Sequence, residues 1–313
     1  MPPQNPPFAT EIVPYGAEGI ARAAALILEG LPVAVPTETV YGLAADATNE
    51  AAVARIYSAK GRPGFNPLIV HVADLAAAER IGAFTAAAWT AAETYWPGPL
   101  TLVVPLRPDA GIAPAVTAGL PTIALRCPES AAMQDLLRAC GRPLAAPSAN
   151  ASGGVSPTTA DHVLRSLRGS IPLILDGGPT RIGLESTIVA FDGDAPRLLR
   201  AGPIAFDGAS TAGGRIEAPG QLASHYAPAK PLRLDAREAA ADEWLIGFGD
   251  VKGNDSLSAC GDLAEAAANL FAALHRADRQ PRTRIAVAPV PNEGIGAAIN
   301  DRLMRAAARG QGL

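Results

Sequence analysis

The sequence predicts an α/β protein, a larger sheet domain followed by a smaller one, and three observations carry that expectation. Apolar runs of strand length alternate with helical segments through most of the first 200 residues. A stretch poor in large aliphatics and rich in Gly, Ala, Ser and Pro interrupts the pattern at residues 204–230. After it, strand and helix patterns resume. The length of 313 residues exceeds the roughly 100–200 of one domain, and 49% apolar with 18% charged residues is ample for a sizeable core.

Taken in order, the chain starts with MPPQNPPF, which lacks the basic start and apolar stretch of a secretory signal, so residues 1–14 read as a short disordered lead-in. Strands are expected at 31–35, 67–72, 100–106, 122–127, 144–146, 173–175, 187–191 and 197–199, each bounded by Gly, Pro or Asp. Between them, residues 49–60 form a helix: Thr48 or Asn49 caps it, Val53, Ile56 and Tyr57 share a face, and Gly61 ends it with Pro63 just beyond. Similar units cover 85–95, 130–139 ending at Gly141, and 159–167 ending at Gly169. This order allows parallel and antiparallel neighbours alike. The expected division is a domain at 15–205, a linker at 206–230 and a second α/β domain at 231–313. The last has strands at 232–234, 244–248 and 285–290 and helices at 262–275 and 294–308. About 80 residues suffice for its own core.

Several function classes fall away on composition. No run of about 18 apolar residues suggests a membrane helix. Cys127, Cys140 and Cys260 form no CxxC pair, which suits reduced thiols in a core and, with no signal sequence, a cytoplasmic location. His71, His162, His225 and His275 lack metal-ligand spacing, so no metal site is expected. A net charge of −4 argues against a surface built wholly as a polyanion footprint, while leaving room for a local basic cleft.

Four polar strings among the apolar strands are the candidate site: PTETVYGL from Pro36, KGRPGFNPLIVHV from Lys60, PTIALR from Pro121 and PSANASGGVSPTT from Pro147. Lys60 and Arg62 emerge where a helix turns toward a strand. Lys60 alone also complements the helix dipole, whereas Arg62 adds a planar fork suited to phosphate, with Asn66 and His71 following along the strand. The serines, threonines and Asn150 around Gly153 and Gly154 lead into a helix start, an arrangement that can hold phosphate and is also an ordinary capped loop. Neither GxxxxGK[ST] nor a dinucleotide fingerprint occurs. Period two places Thr122 with Arg126, a candidate carboxylate clamp or a strand-end charge. It likewise groups Thr37, Thr39 and Tyr41 opposite Glu38, where threonines also serve simply as strand formers.

The order PTETVYGL, KGRPGFNPLIVHV, WPGPLT, PTIALR, PSANASGG, LESTIV and LLRAG resembles the threonylcarbamoyl-AMP synthase, or YrdC-like, family over residues 15–205, and SHYAP with the second domain resembles its longer members. The resemblance implies a YrdC-like twisted mixed sheet with flanking helices around an open cleft, plus a smaller C-terminal Rossmann-like α/β domain. It implies an enzyme joining L-threonine, bicarbonate and ATP into threonylcarbamoyl-AMP with release of pyrophosphate. The product would go to a separate tRNA threonylcarbamoyl transferase complex, with at most a weak tRNA contact here. By the same resemblance Thr39, His71, Arg126, Ala146 and Ser186 contact threonine. Arg62, Asn66, Thr122, Ser148, Ser156, Arg200 and Tyr226 contact ATP, and Lys60 lies nearby.

The residues agree with such chemistry. Lys60, Arg62, Arg126 and Arg200 supply cations, but no Ser-His-Asp set or reactive cysteine appears, which favours positioning and charge neutralisation, chiefly by Lys60 and Arg62, over a covalent intermediate. Mg2+ is expected with the triphosphate. Glu38 and Glu185 are expected to orient cations or cap turns. The linker, with His225 and Tyr226, is expected to fold over the cleft mouth; a passive tether is the alternative. Two other functions remain: a non-enzymatic RNA-binding tRNA or ribosome factor using the same cations, and a carbamoyl-adenylate enzyme with another acceptor.

Overall fold

The computed structural model of the chain describes residues 7–206, 208–211, 217–221 and 224–308. Its first part contains β1 (Glu11–Pro14), α1 (Ala17–Leu28), β2 (Val33–Pro36), β3 (Tyr41–Asp46), α2 (Glu50–Lys60), β4 (Ile69–His71), α3 (Leu75–Glu79) and α4 (Ala86–Tyr95). Then come β5 (Leu100–Pro105), α5 (Pro114–Thr117), β6 (Thr122–Arg126), α6 (Ala131–Cys140), β7 (Leu144–Ala145), α7 (Ala160–Leu167), β8 (Leu173–Asp176), β9 (Thr187–Asp192), β10 (Ala195–Arg200) and β11 (Ser210–Thr211). The C-terminal part holds β12 (Leu232–Arg233), β13 (Glu243–Gly247), β14 (Asp255–Ser256), α8 (Leu263–Asp278), β15 (Arg284–Val287) and α9 (Ile295–Ala307).

Eleven strands form one mixed sheet in the order β1-β8-β2-β3-β7-β4-β6-β5-β9-β10-β11, and β12-β15-β13-β14 form a second, parallel one. Helix boundaries follow their caps. Asn49 accepts from the Ala52 amide to start α2, and Gly61, at φ 59°, ends it in the left-handed conformation that glycine adopts without strain. On one face of the sheet, α1 and α6 bury Ile27, Met133, Leu136 and Leu137 against Val33, Val35, Leu173 and Leu175. Elsewhere α2, α4 and α7 set Val53, Ile56, Ala92 and Val163 against Val70, Leu102, Leu125 and Ile174. Each such side chain, fully buried, contributes roughly 1.5–3 kcal/mol.

Residues alternate between faces, so β4, β6, β5 and β9 turn Ile69, Ala124, Val103, Ile188 and Ala190 the other way, where they form a small apolar floor with Leu199 and Ala218. Period two continues from that floor: His71 follows Ile69, Arg126 follows Ala124, and Ser186 precedes Ile188.

Four departures from expectation have local causes. The lead-in was expected to run to residue 14, yet Glu11–Pro14 pair in parallel with β8, because the EIVP string adds an edge strand. Helix α1 went unread: its buried face is mainly small, with Gly19, Ala23, Ala24 and Ile27, and alanines carry little periodic signal. Residues 37–40 form a tight turn between β2 and β3, so Thr37, Thr39 and Tyr41 do not alternate along a strand. Cys127 and Cys140 are buried, but Cys260 is exposed and is no core thiol.

The C-terminal part does not stand apart. Its core of Phe271, Leu274, Ile299 and Leu303 is continuous with Val40, Val155 and Leu184 of the first part and with Tyr226 of the linker. Gly183, at φ 73°, meets α8 so closely that a Cβ there would lie 2.5 Å from the Ala268 carbonyl oxygen.

Candidate active site

A cavity of about 40 Å³ opens over the apolar floor. It is lined by Thr39, Arg62, His71, Arg126, Ala146, Ser148, Ser186, Arg200 and Tyr226 among the residues singled out in sequence. The same cavity is lined by Glu185 and by Pro219, Gly220 and His225 of the linker. That volume holds a few waters and no nucleotide.

One end is built from β4 and β6, which run in parallel with His71 beside Arg126. Arg126 reaches into the 37–40 turn, donating to Glu38 Oε1 at 2.6 Å and to Thr39 Oγ1 at 3.0 Å. Thr37 organises that turn: its hydroxyl accepts from the Thr39 and Val40 amides, each at 3.2 Å, and donates to the Val40 carbonyl at 2.7 Å. Glu38 therefore does not face away from its neighbours' function but pairs with Arg126, the one cation of β6. Burial alone would raise the Glu38 carboxyl, yet the Arg126 charge and hydrogen bond hold it below the usual carboxylate range. Burial, with Arg126 adjacent, pushes His71 down to about 3, so its imidazole is neutral, and its Nδ1 has no partner among the described residues.

The PSAN loop forms the adjoining wall. β3 grips it through Leu43 N to the Pro147 carbonyl at 2.7 Å and Ala149 N to the Tyr41 carbonyl at 2.8 Å. Lys60 grips it from beneath, donating to the Ser148 and Asn150 carbonyls. Burial first, then the charge of Arg62, draws the Lys60 amine well below its ordinary pKa. Lys60 is thus absent from the cavity lining, and its geometry is that of a brace for Ser148. The expectation that the helix after this loop exposes its first amides to a ligand also fails: Thr159 caps α7 on the His162 amide, and no residue of that turn lines the cavity.

The far wall is Ser186, Arg200 and the linker. The Thr101 and Ser186 hydroxyls lie 2.7 Å apart. Arg200 sits at a register irregularity of β10, where Leu198 pairs with Val189 and Arg200 with Ile188, which re-aims its side chain. It donates from Nη2 to the Ser186 carbonyl at 2.9 Å and hydroxyl at 3.1 Å, and from Nη1 to the Pro219 carbonyl at 3.4 Å.

Asn66, Thr122 and Ser156, like Lys60, do not line the cavity. Ser156 instead donates to Glu185 Oε1 at 2.5 Å. Arg62 donates to the Asn66 and Pro67 carbonyls at 3.1 and 2.8 Å, and the β4–β6 register places this corner beside Thr122. Thr122 is on the Arg126 face but at the opposite end of the strand, roughly 13 Å along it.

Two family models match the chain: one described as telomere recombination covers residues 25–202, and one described as the C-terminal domain of threonylcarbamoyl-AMP synthase covers residues 197–308. The chain belongs to the threonylcarbamoyl-AMP synthase family. Among threonylcarbamoyl-AMP synthases, that of Bacillus subtilis is 42% identical over 92% of both chains, and that of Pyrococcus abyssi 38% identical over 92% of this chain and 93% of its own. The crystal structure of the Pyrococcus abyssi Sua5 protein complexed with L-threonine matches with a TM-score of 0.86 at 36% identity, covering 96% of this chain and 97% of the other. The mixed α/β fold with its second small sheet is the fold of that structure.

For a threonylcarbamoyl-AMP synthase, reading the sequence missed several wall residues. Val40 and Gly42 come from the turn and strand of PTETVYGL, and Pro219 and Gly220 from the linker. The need for glycine at 220 shows only in the fold: it has φ 88°, and a Cβ there would lie 2.7 Å from Arg200 Cδ and 2.9 Å from the Tyr226 hydroxyl.

Proposed function

We propose that this chain is the L-threonylcarbamoyladenylate synthase its family membership indicates, using Thr39, His71, Arg126, Ala146 and Ser186 for threonine and the opposite end of the same sheet face for ATP. The observation that carries this reading is segregation. His71 and Arg126, with Thr39 bonded to Arg126, gather where β4 and β6 end, and Ala146 bonds Ile69 one pleat away, while Arg62 and Asn66 lie with Thr122 where β6 begins. Ser148 and Arg200 line the space between. In this reading, the threonine amine condenses with bicarbonate, releasing water to give the carbamate, and a carbamate oxygen then attacks the α-phosphorus as pyrophosphate leaves. Arg126, already oriented by Glu38, holds the threonine carboxylate. Neutral His71 accepts or donates a hydrogen bond without adding charge. Arg62 and Arg200 offset phosphate charge from fixed positions in the cavity wall. Lys60 acts indirectly, by holding Ser148.

Among the described residues no group of three His, Cys, Asp or Glu could hold a metal, and Glu38 and Glu185 are already paired. Mg2+ would therefore arrive on the triphosphate oxygens and supply charge neutralisation there. The stretch with Pro219 and Gly220 acts as the lid in this proposal, hinged at the tied-down His225 and Tyr226; it opens for ATP and returns to shield the mixed anhydride. Transfer to a tRNA-modifying complex, a weak tRNA contact and cytoplasmic location complete the proposal. No helix among the described residues is long and apolar enough to cross a membrane. The RNA-binding alternative finds no support, because Lys60, Arg62, Arg126 and Arg200 are all under a tenth exposed, whereas a phosphate-tracking surface must present its cations.

The test is pyrophosphate release from ATP by the purified chain, with threonine and bicarbonate each omitted in turn and serine as control. Release requiring both is expected. Release with neither, or none, removes the assignment.

A further inference from the structure

We propose that Arg302, on the last helix of the C-terminal part, is a positioning residue for the nucleotide end of the site, holding the Glu185 carboxylate and the Tyr226 ring in one arrangement against the cavity. The inference rests on the synthase reading and deepens it, because it gives the C-terminal part a role in ATP use.

Arg302 is fully buried. Its Nε donates to Glu185 Oε2 at 2.9 Å and its Nη1 to Asp301 Oδ2 at 2.8 Å. Its guanidinium carbon lies 5.2 Å from the centre of the Tyr226 ring. Of these three partners, Glu185 and Tyr226 line the cavity. The second Glu185 oxygen takes the Ser156 hydroxyl at 2.5 Å, and the next residue, Ser186, receives Arg200 through its carbonyl and hydroxyl. Arg302 thereby holds the 184–186 backbone on which the Arg200 side chain is anchored.

Tyr226 is held with equal care. It has φ 62°, a left-handed conformation that a bulky residue keeps only where its surroundings impose it. Its ring stacks on Phe271 at 5.7 Å. The amides on either side are tied to different parts of the molecule, His225 N to the Arg305 carbonyl at 3.2 Å and Ala227 N to the Gly153 carbonyl at 2.9 Å.

A buried guanidinium is a poor choice for packing alone, since an apolar side chain of similar volume fills space without desolvating a charge. Its charge has a function here that an apolar residue lacks. Glu185 stands in a cavity meant for a polyanion. Burial favours its protonated form, yet the Arg302 and Arg200 charges hold it below the usual carboxylate range. Paired in this way, the carboxylate can order Ser156 and the 184–186 backbone without repelling phosphate.

The experiment compares wild type with Arg302→Met, Arg302→Lys, Glu185→Gln and the double variant Glu185→Gln/Arg302→Met, measuring thermal midpoint, ATP binding by calorimetry without turnover, and separate KM values for ATP and threonine. Arg302→Met is expected to raise the KM and Kd for ATP roughly tenfold or more while the KM for threonine stays within about twofold. Adding Glu185→Gln should recover most of that loss, because no buried carboxylate is then left unpaired. An interface role alone would move both KM values together and would show no recovery. Arg302→Met with wild-type KM and Kd for ATP, or a double variant no better than the single, overturns the proposal. If Arg302→Met does not fold, Arg302→Lys supplies the same reading: a shorter cation that cannot span Glu185 and Tyr226 should weaken ATP alone, and an unchanged KM for ATP overturns the role. Wild type that binds ATP but releases no pyrophosphate with threonine and bicarbonate would instead sink the synthase reading, so the two failures are distinguishable.

Discussion

Arg126 shows how a single side chain joins stability to substrate use. It is 4% exposed and paired with an equally buried Glu38, so its removal leaves a charge uncompensated, and Arg126→Ala should cost about 3–5 kcal/mol of stability. Arg126→Lys separates the two effects. It keeps the charge and should fold, but it loses the fork, so the KM for threonine should rise roughly tenfold with the KM for ATP little changed. An unchanged threonine requirement would take Arg126 out of the site. The histidines give a second expectation. Burial, reinforced by nearby positive charge, pushes His71, His162 and His225 down to about 3, and burial takes His275 to about 4. Each is neutral in the fold and takes up a proton near pH 6.5 once unfolded. Their contribution is therefore fully present above pH 6.5 and declines as pH falls toward 4 and 3. Urea midpoints at pH 7.5 and pH 5 measure this, and equal midpoints would mean the imidazoles are solvated. At this scale the sequence was informative about residue types and silent about pairs. Glu38 looked like the outward residue of a strand because the turn at residues 37–40 depends on a Thr37 hydroxyl hub that no period reports.

At the scale of elements, period two explains why one sheet face carries both ends of the site, and Gly220 explains how the linker lies down on it. With φ 88° and room for no Cβ, which would lie 2.7 Å from Arg200 Cδ and 2.9 Å from the Tyr226 hydroxyl, Gly220 lets the linker pack tightly on the cavity wall. Gly220→Ala introduces both backbone strain and a clash, so the segment should lift. The expected result is at least a tenfold fall in net product with unchanged global stability, because the strands beneath are untouched. Following product lifetime alongside pyrophosphate release checks the mechanism, and an unaltered lifetime would leave the segment a tether. Helix positions were legible here because their caps are local: Asn49, Thr85, Thr159 and Asp262 each accept the amide three residues on. The site-building consequence of α2 was not. Lys60 ends that helix as expected, yet its amine turns inward to the PSAN carbonyls because those acceptors lie within its reach.

The whole molecule reads as one cooperative unit more than as two beads on a string. Val40, Val155 and Leu184 belong to the core of the C-terminal part, and α8 presses on Gly183 next to Glu185. Ending the chain before Gly220 would expose those side chains together with the cavity. It should lower solubility and abolish sustained synthesis, which size-exclusion behaviour and pyrophosphate release would report. A truncated chain as active and as monodisperse as the full one would show that neither the lid nor the C-terminal part is needed.

From the sequence alone came the alternating α/β pattern, most strand and helix positions, the four polar strings and, through their order, the family. These are encoded within a few neighbouring residues, by periodicity, caps and turn chemistry. Tertiary structure alone decided the partners of the buried charges. Arg126 meets Glu38 across 88 positions and Arg302 meets Glu185 across 117. The first encounter depends on strand order in the sheet, and the second on how the C-terminal helices dock. A charge in the interior must find its counter-charge wherever the fold brings one, and that location is a property of topology, which no local window contains.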